Sequence, residues 1–275
     1  MSSESPRDLS VPAIAFDGVA KRFLTADGGT YTAIHDVNMT VRRGEFCAVV
    51  GPSGCGKSTT LALIAGLEPA SEGDVQLMGA PVRGIDERVG YVFQSDAVFP
   101  WKTVLDNVAA GPRYRGASTA EAKERARDWI QRVGLTGFEG HYPHQLSGGM
   151  RKRVSLAQSL ITEPEILLMD EPFSALDVQT RTLMENELLA LWSATSASVV
   201  FVTHDLEEAI ALADRVVVFT AGPGTVKGIY EVDLPRPRNV AEIRFEPAFT
   251  FIYQKIWNDL RDEVLLSYER SKRSA

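Results

Sequence analysis

Short apolar runs bounded by turn residues recur along the chain. They lie at residues 45–50, 166–169, 198–202 and 215–219, and the first ends at Gly51. An apolar run of this length between turns is typical of a strand that is buried on both faces. Because helical stretches separate these runs, we predict an α/β fold with a mainly parallel core sheet.

The middle of the chain lacks such runs and has a helical pattern. Between residues 103 and 160, apolar positions recur at helical spacing, at Ala122, Ala126, Trp129, Ile130 and Val133. Ser118 and Glu121 precede this series with the spacing of a capping box. We therefore predict a helical subdomain at residues 96–160, inserted between two parts of the α/β core at residues 11–95 and 161–235.

The two ends of the chain differ from this core. Residues 1–10 are polar and are expected to form a flexible tail. Residues 235–238 alternate proline and arginine, which predicts an extended linker. Apolar residues then follow at helical spacing, at Phe249, Ile252, Tyr253, Ile256, Leu260 and Val264. The segment 236–275 is thus predicted to be a linker and a helix docked on the core.

Composition restricts the functional classes. The chain has 275 residues, of which 44% are hydrophobic, and its formal net charge is −7. A nucleic-acid partner is not expected, because proteins that bind nucleic acids usually carry a basic surplus. No run approaches the roughly 18 apolar residues of a membrane span, and the N-terminus lacks the pattern of a signal peptide. Cys47 and Cys55 are too few for a disulfide scaffold, which fits a reducing cytoplasm.

A complete phosphate-binding pattern, G-x-x-x-x-G-K-[ST], follows the first apolar run and precedes a helical stretch at residues 59–67. Glycines let the backbone wrap closely around phosphates, and N–H groups at a helix start attract anions. We expect Lys57 to reach the β- and γ-phosphates and Ser58 to bind Mg²⁺. The predicted ATP-binding residues are Gly51, Pro52, Ser53, Gly54, Cys55, Gly56, Lys57, Ser58 and Thr59.

Two adjacent carboxylates follow the second apolar run. Asp170 ends this strand beside the phosphate loop, where a carboxylate can hold Mg²⁺. Glu171 is then the candidate general base for the attacking water, an effect typically worth about 10²–10⁴ in rate. An isolated Asp-Glu-Pro sequence is also typical of a turn at a strand end. The complete phosphate loop favours the catalytic interpretation.

Five further positions resemble those of ABC-transporter ATPases. Residues 146–151, Leu-Ser-Gly-Gly-Met-Arg, resemble the signature of that family, and residues 174–177 resemble its D-loop. Gln94 lies where the family has its Q-loop glutamine, His204 resembles the switch histidine, and Phe23 takes the place of the aromatic residue that stacks on adenine. Together with the phosphate loop and the carboxylates, these elements occur in the family's order over roughly residues 14–230.

The resemblance implies a P-loop NTPase fold of the ABC ATPase type, with a parallel-sheet core, an antiparallel edge sheet and the inserted helical subdomain. It implies ATP and Mg²⁺ as cofactors, with Glu171, His204 and Gln94 as catalytic residues. The metal would be held by Ser58, Gln94 and Asp170. It also implies a head-to-tail homodimer, in which the other copy completes the ATP site with Ser147, Gly148, Gly149 and Asp177.

Segments outside these motifs indicate a subfamily. Residues 99–108, 142–145 and 234–238 are similar to the ATPases of nitrate, sulfonate and taurine importers. This similarity implies an integral membrane permease and an external solute-binding protein as partners, with the chain peripheral on the cytoplasmic face of the inner membrane. It also implies that the chain is the ATP-hydrolysing motor subunit of an importer of nitrate, sulfonate, taurine or a similar small solute. Which of these solutes is carried is not predicted.

Two other functional classes stay open at this point. One is a soluble ABC-type ATPase of translation or DNA repair, although those usually have two fused ATPase units or a coiled-coil insertion. The other is a phosphotransferase or GTPase that uses the same phosphate loop. The signature segment would then have no role.

Overall fold

The computed structural model describes residues 11–274, so Ala275 and the tail predicted at residues 1–10 lie outside it. Within this range, ten strands form two sheets. The strands are β1 Ile14–Leu24, β2 Thr30–Val41, β3 Phe46–Val50, β4 Glu72–Leu77, β5 Ala80–Pro81, β6 Val89–Val92, β7 Ile166–Asp170, β8 Ser198–Thr203, β9 Arg215–Phe219 and β10 Val226–Glu231.

Nine α-helices complete the described range, with a short 3₁₀ helix at Pro143–Gln145. The helices are α1 Lys57–Ile64, α2 Val104–Val108, α3 Ala110–Tyr114, α4 Thr119–Arg132, α5 Gly148–Leu160, α6 Val178–Ser193, α7 Leu206–Leu212, α8 Val240–Ile243 and α9 Pro247–Ser274. Between β6 and β7, all the regular structure is helical. None of the helices in residues 11–274 has both the length and the apolar character that crossing a bilayer requires.

The larger sheet has the strand order β10-β9-β3-β8-β7-β6. Its neighbours from β9 to β6 are parallel, and β10 adds an antiparallel edge strand. The smaller sheet, β2-β1-β4-β5, is antiparallel. The four apolar runs are the central strands β3, β7, β8 and β9, so the prediction of a mainly parallel core sheet is confirmed.

Both faces of these strands are covered by other elements, which explains why the strands are apolar throughout. Successive side chains of a strand point to opposite faces. On β3, Phe46, Ala48 and Val50 belong to a core cluster formed mainly with the helices. Cys47 and Val49 belong to a second cluster, with α1 and the antiparallel sheet. Cys47 and Cys55 are both buried free thiols.

Parallel strands place the candidate residues at one edge of the larger sheet. The segments that follow β3, β6, β7 and β8 contain, in that order, the phosphate loop, Gln94, Glu171 and His204. Ligands of open α/β sheets bind at the carboxyl ends of the strands. The topology therefore gathers residues that are far apart in sequence.

Several boundaries differ from the sequence prediction. The first helix begins at Lys57 and ends at Ile64, because Gly66 takes a left-handed φ of 68° just after it. Strand β3 begins at Phe46, since Glu45 accepts a 2.6 Å bond from the Arg42 N–H in the preceding turn. Only half of the predicted capping box is present among the described contacts, where Ser118 accepts the Glu121 N–H at 3.2 Å.

The C-terminal segment is anchored more firmly than a linker. Arg238 is 7% exposed, and its guanidinium donates to five backbone carbonyls, among them that of Ala213 at 2.7 Å. On α9, Ile256 and Leu260 are buried as predicted. Val264, the last residue of the apolar series, is 40% exposed. The distal half of α9 is held on another face, where Glu263 is 7% exposed and pairs with Lys227 at 2.7 Å.

Candidate functional site

The phosphate loop joins β3 to α1 in a conformation that requires glycine. Gly54 and Gly56 have left-handed φ angles of 77° and 94°. A Cβ on Gly56 would lie 2.3 Å from Ile34 Cγ2, so a side chain is excluded there on steric grounds as well. The first N–H groups of α1, from Lys57 to Thr59, lack intrahelical acceptors as at any helix start. The loop can therefore bind phosphate oxygens through its backbone.

Lys57 is held inside this loop. Its side chain is buried, and Nζ donates to the carbonyls of Gly51 at 2.9 Å and Pro52 at 3.0 Å. A buried ammonium needs partners, and here the carbonyls of the loop provide them. The charge of Lys57 thus lies at the centre of the site predicted for the phosphates.

Oxygen ligands lie beside the loop. Ser58 Oγ donates to Asp170 Oδ1 at 3.1 Å, and the Tyr91 hydroxyl lies 3.5 Å from Asp170 Oδ2. Burial raises the pKa of the Asp170 carboxyl. Burial also raises the pKa of the Tyr91 hydroxyl, and the negative charge of Asp170 adds to that effect. A hydroxyl beside a partly buried carboxylate is a donor set that suits Mg²⁺. The residues present therefore fit the predicted metal.

The Glu171 carboxylate is contacted from two sides. His204 Nδ1 lies 2.9 Å from Glu171 Oε2, and Gln94 Nε2 lies 3.5 Å from the same oxygen. Glu171 has a φ of 41° although it precedes Pro172, and its N–H donates to the Val202 carbonyl at 2.9 Å. Left-handed backbone at a non-glycine residue costs energy and is found preferentially at functional sites. The fold thus holds Glu171 in a strained position between three segments.

The other predicted ATP-binding residues lie at two helix starts. Ser147 begins α5, where its Oγ accepts the Met150 N–H at 3.3 Å, and Gly148 and Gly149 form the first turn. Asp177 begins α6 and accepts the Thr180 N–H at 3.0 Å. That contact is the main cause of the lowered pKa of Asp177. Among the described residues, neither Ser147 nor Asp177 is hydrogen-bonded to the phosphate loop, and both are exposed.

These two helix starts are neighbours. A Cβ on Gly149 would lie 3.1 Å from Thr180 Cγ2, in the first turn of α6. The predicted site residues therefore form two groups. One surrounds the phosphate loop, and the other is an exposed pair of helix starts on the same chain.

Tyr31 is a site residue that the sequence prediction missed. Phe23 pairs with Tyr31 across β1 and β2, and the Tyr31 hydroxyl lies 3.3 Å from the Gly54 carbonyl of the phosphate loop. This register places Phe23 on the strand pair that borders the loop. The hairpin through Asp27 and Gly28 sets the pairing, and no local pattern of the sequence shows which residue faces Tyr31.

The residues that tie the Gln94 segment to α5 were also missed. Lys152 is buried, and its Nζ donates to the carbonyls of Phe93 and Gln94 at 3.3 and 3.2 Å. Asp96 pairs with Arg151 Nε at 3.0 Å and with Lys152 Nζ at 3.4 Å. The basic run at residues 151–153 was the signal available in the sequence. The basic residues of this run form ion pairs within the chain, so they do not form a basic surface stripe.

A buried charge cluster behind His204 was missed as well. Thr203 Oγ1 donates to Glu208 Oε2 at 2.6 Å, and Arg181 lies 3.6 Å from Glu208 and 3.3 Å from Asp205. Glu185 is fully buried and pairs with Arg244 at 3.4 Å. Burial raises the pKa of Glu185 to about 8. The sequence carries no signal for this cluster, because its members come from four segments.

Comparison with known proteins shows which family this site belongs to. The family model described as ABC transporter matches residues 34–174. The chain is 48% identical over 241 residues to an uncharacterized ABC transporter ATP-binding protein of Methanocaldococcus jannaschii, covering 88% of this chain and 89% of that protein. It is 37% identical over 257 residues to the aliphatic sulfonates import ATP-binding protein SsuB of Bacillus cereus. This match covers 94% of this chain and 96% of that protein.

A solved structure has the same fold. It is a dimeric post-hydrolysis state of the ATP-binding cassette MJ0796 bound to ADP and Pi. The two folds match with a TM-score of 0.71 and 31% sequence identity, and the match covers 81% of this chain and all of that chain. The resemblance drawn from the signature, Q-loop and switch segments is confirmed, and so is the fold class. This chain belongs to the ABC transporter family and is one of its ATP-hydrolysing ATP-binding subunits.

Proposed function

We propose that two copies of this chain bind ATP between them and drive solute import through a separate membrane permease. The observation that carries this proposal is the contact of His204 and Gln94 with the Glu171 carboxylate beside a complete phosphate loop. In this arrangement the groups around Glu171 can contact the terminal phosphate of a bound nucleotide. The exposed helix starts at Ser147 and Asp177 supply the groups that a second copy would bring.

Binding of the nucleotide begins at the phosphate loop. The loop N–H groups bind the phosphate oxygens, and Lys57 exchanges its two carbonyl partners for the β- and γ-phosphates. Phe23 stacks on adenine. Tyr31 borders the same region through its contact with Gly54.

Ser58 and Asp170 would hold Mg²⁺, with Gln94 as a further ligand. When bound, the metal neutralises negative charge on the phosphate oxygens. The raised pKa of Asp170 is consistent with this role, since its carboxylate is partly buried near the negative charge of Glu171. A cation at this position offsets both effects.

Glu171 takes a proton from the water that attacks the γ-phosphate. A His204 ring with protons on both nitrogens donates from Nδ1 to Glu171 and from Nε2 to an oxygen of the terminal phosphate. His204 therefore aligns the base with the nucleotide. This alignment gives the acid–base contribution of about 10²–10⁴ in rate that a well-positioned carboxylate supplies.

The second copy completes the site. The start of α5, with Ser147, Gly148 and Gly149, presents N–H groups and a hydroxyl to solvent. A helix start of this kind binds anions. In the dimer it contacts the γ-phosphate held by the other copy, with Asp177 beside it. ATP thus joins the two copies, and hydrolysis releases them.

The Glu171→Gln variant tests this mechanism. We expect phosphate release to fall by about 10²-fold or more, and the variant to form a dimer with ATP and Mg²⁺ that light scattering detects. Glu124→Gln, an exposed change on α4, is the matched control and should hydrolyse ATP like the parent chain. A Glu171→Gln chain that stays monomeric at saturating ATP would contradict the proposal.

An exposed aromatic groove near the Gln94 segment suits the permease. Trp101 and Tyr114 are 72% and 73% exposed, and with Tyr142 they line a cavity of about 300 Å³. Exposed aromatic surface of this kind is typical of protein interfaces. We assign it to a cytoplasmic helix of the permease, which places the chain on the cytoplasmic face of the inner membrane.

The solute belongs to the class of small compounds such as sulfonates, nitrate or taurine. Support comes from the sulfonate-import relative and from the importer-like segments of the sequence. An external solute-binding protein would deliver the compound. Purification from gently solubilised membranes of the host tests this arrangement, because a multi-span protein should co-purify. Recovery with ribosomal or DNA-repair components alone would contradict it.

A further inference from the structure

The long C-terminal helix α9 is pinned beside the nucleotide-binding edge. Glu263 is 7% exposed, and its carboxylate accepts the Ala221 N–H at 2.8 Å and pairs with Lys227 Nζ at 2.7 Å. The Arg270 guanidinium donates to the Gly222 carbonyl. The 221–224 loop packs on the phosphate loop, because a Cβ on Gly224 would lie 1.9 Å from the Cys55 carbonyl oxygen. The position of α9 is therefore tied to that of the phosphate loop.

One face of α9 lines a cleft with the phosphate loop. The cleft has a volume of about 790 Å³, with Pro52, Ser53 and His204 on one wall and Trp257, Val264 and Tyr268 on the other. The α9 residues recur at intervals of seven and four, so they lie on one face of the helix. We call Trp257, Val264 and Tyr268 the α9 stripe.

The α9 stripe is apolar but incompletely covered. Trp257 is 38% exposed, Val264 is 40% exposed and Tyr268 is 58% exposed, so exposure increases toward the end of the helix. Leu260, on the same cleft, is 4% exposed. Leu260 thus anchors the helix on the core, while the α9 stripe presents apolar surface in the cleft that Ser53 and His204 also line.

We propose that the α9 stripe is part of the ATP-dependent interface and contacts the second copy of this chain. The inference rests on the proposed ATP-bound dimer, in which the Ser147 helix start of the partner approaches Ser53 and His204. Those residues form a wall of this cleft, so the partner enters the space that the stripe borders. Burial of the stripe then adds hydrophobic contact to the phosphate contacts and makes dimerisation stronger.

The test compares two changes one residue apart on α9, both in the Glu171→Gln background. Val264→Asp places a charge on the α9 stripe, whereas Leu265→Asp alters a residue that is 53% exposed and does not line the cleft. With ATP and Mg²⁺, we expect Val264→Asp to raise the dimer dissociation constant at least about 10-fold, measured by analytical ultracentrifugation. Leu265→Asp should change it less than about 3-fold, since the charge stays in solvent.

Two further measurements keep the result interpretable. ATP binding by the monomeric Val264→Asp chain without Mg²⁺ should match the background, which shows that its site is folded. Val264→Ala should give an intermediate loss of dimer stability. Equal effects of Val264→Asp and Leu265→Asp, or tighter dimers with Val264→Asp, would overturn the inference alone. A Glu171→Gln background that does not dimerise would overturn the proposed function and this inference together.

Discussion

At the residue scale, the site is organised around the Glu171 carboxylate. The backbone of Glu171 keeps a left-handed φ of 41° because its N–H donates to the Val202 carbonyl and its side chain contacts His204. A proline follows, and the residue before proline normally prefers extended backbone. The surrounding strand ends therefore impose a conformation that the local sequence disfavours. Strain of this kind is found preferentially at functional sites, which agrees with the role proposed for Glu171.

The His204→Ala variant tests whether the histidine acts through Glu171. We expect kcat for ATP hydrolysis to fall by about 10²-fold with little change in ATP affinity, because the base loses its alignment. Adding Glu171→Gln should lower kcat little further, since residues that act as a unit are not additive. Measurement is by phosphate release. His35→Ala, on an exposed part of β2, is the control. A multiplicative loss in the double variant would show that the two residues act independently.

At the element scale, hydrogen bonds of buried and partly buried polar groups join α6, α7 and the segment after α8 behind His204. Asp205 caps α7 and pairs with Arg181 of α6, while the Arg244 guanidinium, just after α8, donates to Glu185 at 3.4 Å. Leaving a buried polar group without its partner is costly. The cluster thus fixes the start of α7, which immediately follows His204.

This cluster predicts that stability falls as pH rises. Burial raises the pKa of Glu185 from 4.5 to about 8, so the folded chain keeps a proton that the unfolded chain releases above its ordinary pKa. The stabilisation is full below about pH 4.5 and is lost through pH 8, with a maximal slope of about 1.4 kcal/mol per pH unit for one proton. Glu185→Gln should flatten the decline between pH 6 and 8.5, measured by urea unfolding.

A matched change separates this effect from general surface charge. Glu124→Gln, exposed on α4, should keep the pH dependence of the parent chain. The explanation would be wrong if Glu185→Gln retained the full decline with pH.

At the scale of the whole molecule, we propose different partners for two exposed surfaces. The α9 stripe lines a cleft with the phosphate loop and is proposed to contact the second copy, whereas the aromatic groove follows the Gln94 segment and is proposed to contact the permease. Lys152 and Asp96 tie that segment to the signature helix α5. The Gln94 segment is therefore bonded both to Glu171, through the Gln94 side chain, and to the helix that begins after Ser147.

Trp101→Glu should reduce co-purification of the permease by about 10-fold or more, because a charge replaces a largely exposed indole ring of the aromatic groove. Quantitative mass spectrometry of the purified complex measures the loss. Phe245→Glu is the control, since Phe245 is 86% exposed and does not line the groove. Equal retention of the permease by both variants would rule out the groove as its docking surface.

Local patterns predicted the parts of the site that lie within one segment. Eight consecutive residues specify the phosphate loop, because its glycines, lysine and helix start act on the same ligand. Asp170 and Glu171 could be identified because they directly follow a buried strand. The parallel sheet followed from the apolar runs, since strands covered on both faces have no polar side.

The sequence by itself therefore determined the family, the central strands of the larger sheet and the residues of each motif. Only the tertiary structure decided what the motifs contact. Helical spacing on α9 predicted a helix with one buried face, but it could not show that Val264 lies beside Ser53 and His204. The same holds for Tyr31 at the phosphate loop and Glu185 with Arg244. Such contacts join segments far apart in sequence, and their partners are set by packing rather than by local spacing.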